Sequence, residues 1–132
     1  MADRLEVQFP GGKRVDVKVG GFVIPTDQSA RDGGDESAPT PFCLFLASLA
    51  ACAGYYALSF CQGRNLSTEG LGLTLDWESE KKRQGPARAV LRLSLPEGFP
   101  VRYRHGILKA VGACAVKKQL EQPPEWHLEV DG

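Results

Sequence analysis

The chain has 132 residues, about the length of one domain, and its 16 basic and 16 acidic side chains give a net charge of zero. That balance argues against a dedicated nucleic-acid-binding protein, which normally carries an excess of basic residues. A hydrophobic content of 42% and a charged content of 24% are typical of globular proteins and exclude a chain that is disordered throughout. We therefore predict a single domain over residues 1–132, with no nucleic-acid partner.

Alternating apolar and polar residues mark the beginning of the chain. Residues 5–9 and 15–19 each place their apolar side chains on one face, which is the pattern of a half-buried strand. The turn-forming residues 10–13 between them predict a hairpin, and residues 22–24 predict a third strand. Residues 25–41 are rich in Gly, Ser and Asp and predict a loop.

Residues 41–61 form an uncharged run of 21 residues, enough for a helix of about 31 Å. Thr40 is placed to cap this helix, Pro41 to open it, and Gly63 or Asn65 to end it. A membrane span is the alternative, since about 20 apolar residues cross a bilayer. We favour a buried core helix without a membrane partner, because the flanking amphipathic strands need an apolar layer to cover them.

Two more strands follow the helix. Residues 71–77 and 89–95 each alternate apolar and polar side chains, and a charged loop at 80–85 separates them. Together with the first three strands, they predict an α+β fold in which antiparallel sheets pack on a long central apolar helix.

The C-terminal part of the chain predicts one interrupted helix and one strand. Residues 101–120 have helical spacing of their apolar residues, and Gly112 is expected to break or bend the helix. Residues 126–130 alternate again and predict a last strand.

A helix that is apolar all round needs cover on more than one side, and a chain of this size cannot supply it. We therefore predict a homodimer joined through the central helices. Small residues along the helix would let two backbones approach closely, namely Ala47, Ser48, Ala50, Ala51, Ala53 and Gly54.

Three of the four cysteines lie on the central helix. Cys43, Cys52 and Cys61 are nine residues apart, so Cys52 points about 180° away from the other two and the three cannot converge on a metal ion. His105 and His127 are not spaced as a ligand pair, and the chain has no CxxC motif. We predict neither a metal nor a cofactor, and a single buried cysteine is most simply a small apolar residue.

The fourth cysteine, Cys114, has a different setting. It follows Gly112, where the helix is expected to restart, so helix N-terminal amides would stabilise its thiolate and lower its pKa. Lys117 and Lys118 lie close by in sequence and would add to this effect.

Two segments resemble the motifs of the OsmC/Ohr family. Residues 40–52, TPFCLFLASLAAC, are similar to the long-helix signature of that family, in which a proline opens the helix and a cysteine closes a Leu/Ala-rich stretch. Residues 112–116, GACAV, resemble its second cysteine motif, although Ala115 replaces the usual proline. The order of elements is similar over nearly the whole chain. The resemblance implies an intertwined α+β homodimer with two long helices at its centre.

The resemblance also implies a thiol peroxidase that acts on organic hydroperoxides. Cys52 would be the peroxidatic thiolate, which becomes a sulfenic acid and condenses with Cys114 to a disulfide. A dithiol reductant, typically a lipoyl group in the family, would then reduce that disulfide by exchange. Arg31 lies at about the family's arginine position and would stabilise the thiolate by its charge; a solvated loop charge is the simpler interpretation of Arg31.

The sequence departs from the family at the start of the long helix. The family carries a glutamate there to pair with the arginine, whereas this chain has Phe42 and Cys43, which cannot accept an arginine bidentately. Asp35 or Glu36 is a possible substitute. Cys43 is either a packing replacement or a third thiol near the site, and we favour packing.

A second hypothesis is a non-catalytic protein of the same fold that binds a small apolar ligand at the dimer cleft. The missing glutamate favours it, as do four aromatic side chains near the thiols, Phe42, Phe45, Tyr55 and Tyr56. Residues 1–9 have no uninterrupted apolar core, so we expect no signal peptide and a cytoplasmic protein.

Overall fold

The computed structural model describes residues 4–79 and 87–132. The chain divides into two compact units, Met1–Ala47 and Ser48–Gly132. The charged loop predicted at 80–85 lies outside the described residues.

The first unit contains a three-stranded antiparallel sheet in the order β1–β2–β3. Its strands are β1 (Glu6–Gly11), β2 (Arg14–Val19) and β3 (Phe22–Thr26), as the alternation predicts. Val7 pairs with Val17, and Val17 pairs with Ile24. The apolar side chains of β1, Val7 and Phe9, are exposed.

The polar loop after β3 is ordered around one buried carboxylate. Asp27 is fully buried, and its oxygens accept hydrogen bonds from the backbone amides of Gln28 (2.7 Å), Asp35 (3.3 Å) and Ser37 (3.1 Å). The Ser37 hydroxyl adds a fourth bond of 2.6 Å. These bonds lower the pKa of Asp27 from 3.8 to about 2, with the Ser37 hydroxyl as the largest cause. The Asp27 carboxylate therefore holds the two ends of the loop together by hydrogen bonds to residues 28, 35 and 37.

Gly34 allows the same loop to fold tightly. A Cβ atom at this position would lie 2.1 Å from the carbonyl oxygen of Gln28, closer than any real contact. The sequence predicted a loop here, but not that it would be built around a charge.

The long helix α1 (Pro41–Gly63) covers the predicted residues, but only five of its 23 residues are buried, so the prediction of a buried core helix does not hold for the single chain. The Thr40 hydroxyl accepts a hydrogen bond of 3.1 Å from the amide of Cys43, which confirms the predicted cap. Beyond the end of the helix, Asn65 adopts a left-handed conformation with φ of 52°. By length and composition alone the helix is also apolar enough to cross a membrane, a test that the core helix of a soluble protein passes as well.

The core of the second unit packs around the second half of α1. Ala53, Ala57 and Phe60 are buried against Ile107 and Val111, and leucines of the second sheet pack on this cluster. One face of α1 is thus a core face. That sheet is a two-stranded antiparallel ladder of β4 (Gly72–Glu78) and β5 (Arg88–Ser94).

Two short helices replace the single predicted one. A 3-10 turn at Val101–Tyr103 leads into α2 (Arg104–Gly112), and α3 (Ala115–Glu121) follows after a break. The break predicted at Gly112 is confirmed.

The strand predicted at residues 126–130 is wrong for the single chain. Residues 123–132 belong to no helix or strand, and the side chains of Trp126, Leu128 and Val130 are 79–96% exposed. A strand needs a partner for its backbone hydrogen bonds, and the described part of the chain gives this segment none.

Candidate functional site

The structure brings Cys52 and Cys114 together within the second unit. Cys52 lies in the middle of α1 and is half-buried, whereas Cys114 is the buried residue that directly precedes α3. A side-chain hydrogen bond between the two thiols lowers the pKa of Cys52 and raises the pKa of Cys114. The two cysteines are 62 residues apart in sequence, so only the fold places their sulphur atoms side by side.

Hydrogen bonds lower the pKa of the Cys52 thiol from its ordinary value of 9.0. The bond from the Cys114 thiol is the largest cause, followed by the backbone amide of Val116, and the amide of Ala115 adds to it; burial acts in the opposite direction. Each of these donors stabilises the charged form of the sulphur. Cys52 is therefore the more acidic member of the pair.

The pKa of Cys114 is raised, and the expectation that it would be lowered is wrong. Burial of Cys114 is the largest cause, and its hydrogen bond to Cys52 acts in the same direction. The amides of Lys117 and Val116 do lower its pKa, but they do not outweigh the burial. The Lys117 ammonium contacts the Gly112 carbonyl oxygen (3.4 Å) and the Glu121 carboxylate (3.6 Å) instead.

The two remaining cysteines differ from each other. Cys61 is fully buried in the core, as predicted, and burial raises the pKa of its thiol. Cys43 is exposed on the first turn of α1 in the single chain, and its role as a packing residue stays a prediction. It borders an open cavity of about 300 Å³ in the first unit, together with Glu36 and Thr40.

Arg31 is exposed in the 3-10 turn Ala30–Asp32 of the first unit. Among the described residues of this unit, no carboxylate lies within ion-pair distance of its guanidinium, so neither Asp35 nor Glu36 pairs with it there. The Glu36 carboxylate accepts a hydrogen bond of 3.4 Å from the amide of Ala30, and Asp35 uses its amide to bind Asp27. The role of Arg31 toward the thiolate stays a prediction.

A small apolar cavity borders the thiol pair on the Cys114 side. Its volume is about 150 Å³, the size of an engineered cavity that binds benzene. Its described lining contains Cys114 but not Cys52, and Lys117 contributes the single charged group. Apolar side chains from α1, the second sheet and α3 complete it: Leu49, Leu75, Trp77, Ala89, Leu91 and Leu120.

Sequence reasoning missed this cavity and the buried Asp27. Trp77 and Ala89 were predicted only as strand residues, because alternation identifies an inward face but not an unfilled space on it. Asp27, at the end of a strand and before a loop rich in small residues, was a weak signal for a loop-closing carboxylate. The four aromatic residues singled out on α1 in the sequence form two ring pairs, Phe42 with Phe45 (5.8 Å) and Tyr55 with Tyr56 (5.7 Å).

Solved structures share the fold of this chain. One is described as an osmotic stress induced and detoxification response protein from Psychrobacter arcticus 273-4, with a TM-score of 0.66 and 17% identity over 87% of this chain and 85% of that one. Another is the organic hydroperoxide resistance protein OsmC of Legionella pneumophila, with a TM-score of 0.56 and 16% identity over 89% of this chain and 88% of that one. These likenesses confirm the predicted α+β fold. No curated protein sequence matches this chain.

The family itself is shown by sequence. Residues 33–129, more than half of the chain, match the family model for OsmC-like proteins. This stretch includes both cysteines of the hydrogen-bonded pair. The chain belongs to the OsmC-like protein family.

Proposed function

We propose that this protein is a thiol-dependent peroxidase that reduces organic hydroperoxides through Cys52 and Cys114. The observation that carries the proposal is that the fold brings Cys52 and Cys114, 62 residues apart in sequence, close enough for each thiol to shift the pKa of the other. A thiolate is the reactive form of cysteine, and a second thiol in contact with it is what disulfide formation requires.

The cycle assigns a different step to each cysteine. The Cys52 thiolate attacks the terminal peroxide oxygen, the O–O bond breaks, and the alkoxide takes up a proton and leaves as an alcohol. Cys52 is then a sulfenic acid. The Cys114 sulphur attacks it, water leaves, and the Cys52–Cys114 disulfide forms. A dithiol reductant, of the lipoyl type, returns both cysteines to thiols by exchange and becomes a disulfide itself.

A thiol count after peroxide treatment tests the cycle. We expect excess tert-butyl hydroperoxide to consume two of the four thiols of the wild type and to form one disulfide, identified by peptide mass mapping. Cys52→Ser should form none, and Cys114→Ser should stop at a sulfenic acid on Cys52. Cys43→Ser is the matched control and should behave like the wild type.

Intact thiols at Cys52 and Cys114 after this treatment would contradict the proposal. The second hypothesis, a protein of this fold that binds a small apolar ligand without catalysis, would then remain. The apolar cavity beside Cys114 is the observation that favours it.

Arg31 enters the proposal as a source of positive charge for the Cys52 thiolate. The family glutamate that would hold such an arginine is absent, and Phe42 and Cys43 stand at that place. We expect Arg31→Gln to slow peroxide consumption, and Arg31→Lys to retain more of the rate because it keeps the charge. Equal rates in all three proteins would remove Arg31 from the site.

We further propose that the protein works as a homodimer in a reducing, cytoplasmic setting. A stripe on α1 is exposed on the single chain at helical spacing, formed by Ala47, Ala51, Tyr55 and Leu58. Ala53 was predicted for the same contact but is buried inside its own chain. Leu58→Glu should convert the dimer to a monomer in light scattering.

A further inference from the structure

Two arginines stack on aromatic rings where α1 ends and α2 begins. The guanidinium carbon of Arg64 lies 3.7 Å from the centre of the Phe60 ring and 5.6 Å from the centre of the Tyr103 ring. The guanidinium carbon of Arg102 lies 4.7 Å from the centre of the same Tyr103 ring. These distances are within the range of cation–π attraction. One tyrosine ring therefore holds two positive charges near each other.

The rings under these arginines are fixed by the core of the second unit. Phe60 is buried in the core cluster, and its ring meets that of Tyr103 edge to face, with centres 5.9 Å apart. Gly106 lets α2 approach the Phe60 ring, because a Cβ atom at this position would lie 3.1 Å from two of the ring carbons. The two guanidinium groups are thus held on a rigid base, which reduces the entropy that a ligand has to overcome to order them.

No carboxylate within the described ranges lies at ion-pair distance from Arg64 or Arg102. The acidic residues nearest to them in sequence, Glu69 and Glu97, line a cavity whose described lining contains neither arginine. Residues 98–120 hold five basic side chains and no acidic one, so the surroundings in sequence add positive charge. The cluster therefore has a need for negative charge that the described part of its own chain does not meet.

Stacking leaves hydrogen-bond donors of both arginines available. A guanidinium stacks through its face, whereas its five N–H donors point outward in its plane. Arg64 uses one donor to bind the carbonyl oxygen of Phe60 at 3.3 Å. In residues 4–79 and 87–132, no acceptor binds the guanidinium of Arg102 or the hydroxyl of Tyr103. The cluster can therefore donate hydrogen bonds to several oxygen atoms of one ligand.

We propose that Arg64, Arg102 and Tyr103 form a binding site for the phosphate monoester group of a small soluble molecule. Such a group carries about 1.5 to 2 negative charges at pH 7 and three acceptor oxygens, which match two guanidinium groups, whereas a carboxylate supplies one charge. The site is separate from the thiol pair, because Arg64 follows Cys52 by 12 residues, about 18 Å along the axis of α1. The proposal does not depend on the peroxidase cycle.

NMR spectra of the arginine side chains test the site directly. The Nε–Hε signals of the full-length protein are followed during titration with glycerol 3-phosphate at constant ionic strength, and with acetate for comparison. We expect the signals of Arg64 and Arg102 to shift together and to saturate, with binding about tenfold or more tighter than that of acetate. Equal affinity for acetate, or similar shifts of all arginine signals, overturns the proposal.

Two arginine variants with the same change of net charge separate a built site from diffuse attraction. Arg102→Gln should weaken the binding of glycerol 3-phosphate by about tenfold or more, and Arg102 is exposed, so the variant should fold. Arg104→Gln removes an exposed arginine two positions further along the chain and should change the affinity by about twofold at most. Equal losses in the two variants overturn the proposal.

Arg64→Lys tests the planar, stacked guanidinium, since it keeps the charge but loses the fork of donors. We expect most of the affinity to be lost while the thermal melt stays cooperative, and full retention of affinity contradicts the site. Sedimentation with vesicles that contain phosphatidic acid distinguishes the source of the phosphate. Vesicle binding without any response to glycerol 3-phosphate overturns the assignment to a small soluble molecule.

Discussion

Two regions of the molecule stabilise an anion with hydrogen bonds, and they differ in what surrounds it. In the first unit, the Asp27 carboxylate accepts hydrogen bonds from three backbone amides and from the Ser37 hydroxyl. In the second unit, the pKa of Cys52 is lowered by hydrogen bonds from the Cys114 thiol and from the backbone amides of Val116 and Ala115. Both pKa values are lowered by the same physical cause, since the donors favour the charged form.

The difference lies in the donors and in access. All donors to Asp27 come from its own loop, and none of them is a nucleophile, so this anion fixes a backbone conformation. The donor that lowers the pKa of Cys52 most is itself a thiol, that of Cys114, and Cys114 also lines an apolar cavity. The comparison teaches that a stabilised anion is structural when its donors are inert, and suited to chemistry when one donor can form a bond with it.

Removing the carboxylate should have the largest effect on stability. Asp27→Ala leaves four hydrogen-bond donors of the loop, three backbone amides and the Ser37 hydroxyl, without their acceptor. We expect the Tm to fall by several degrees in a thermal melt. Asp35→Ala is the control, because Asp35 donates through its backbone amide, and it should melt near the wild type. Equal Tm values for the wild type and Asp27→Ala would contradict the structural role.

Removing the thiol donor should have an intermediate effect, confined to the reactivity of Cys52. Cys114→Ala deletes the largest cause of the lowered pKa, so the pKa of Cys52 should rise and its thiolate fraction near pH 7 should fall about tenfold per pKa unit. The rate of iodoacetamide labelling at Cys52, followed by mass mapping across pH, measures this shift.

Cys114→Ser is the matched control for this experiment, because its hydroxyl can still donate to the Cys52 sulphur. It should show the smaller shift of the labelling profile. Identical profiles for the wild type and Cys114→Ala would mean that the hydrogen bond between the thiols does not control the acidity of Cys52.

Acid should remove the contribution of Asp27 to stability over a defined pH range, the smallest of the three effects. The pKa of Asp27 is about 2 in the folded protein against an ordinary value of 3.8. Its contribution is therefore complete above the unfolded value and is lost as the pH falls from about 4 toward 2. Urea melts across this range should show the loss in the wild type and a flatter dependence in Asp27→Asn. Asp131→Asn, in the exposed C-terminal segment, should retain the wild-type profile.

Most of the secondary structure could be predicted from the sequence because it depends on local patterns. The first hairpin, the cap at Thr40 and the break at Gly112 each follow from residues adjacent in the chain. The last strand could not be predicted reliably. The alternation at residues 126–130 is compatible with a strand, but it does not show whether a partner strand is present to accept its backbone hydrogen bonds.

The sequence identified the two cysteines of the site, but it did not give the direction of both of their pKa shifts. Cys52 and Cys114 were identified by their resemblance to family motifs, and their contact agrees with that prediction. The pKa of Cys114 was expected to be lowered, but burial raises it, and the amides of Ala115 and Val116 at the start of α3 lower the pKa of Cys52. Exposure of Cys43 likewise could not be read from its position in an apolar run.

By itself, the sequence determined the elements, the apolar helix and the two cysteines with distinct surroundings, since periodicity, caps and motifs are properties of neighbouring residues. Only the tertiary structure decided which sulphur is the more acidic one and which of the two cysteines lines the cavity. Desolvation, hydrogen-bond donors from distant residues and unfilled space all depend on how segments 62 residues apart pack together. The same holds for Asp27, which becomes a buried anion only when its loop closes around it.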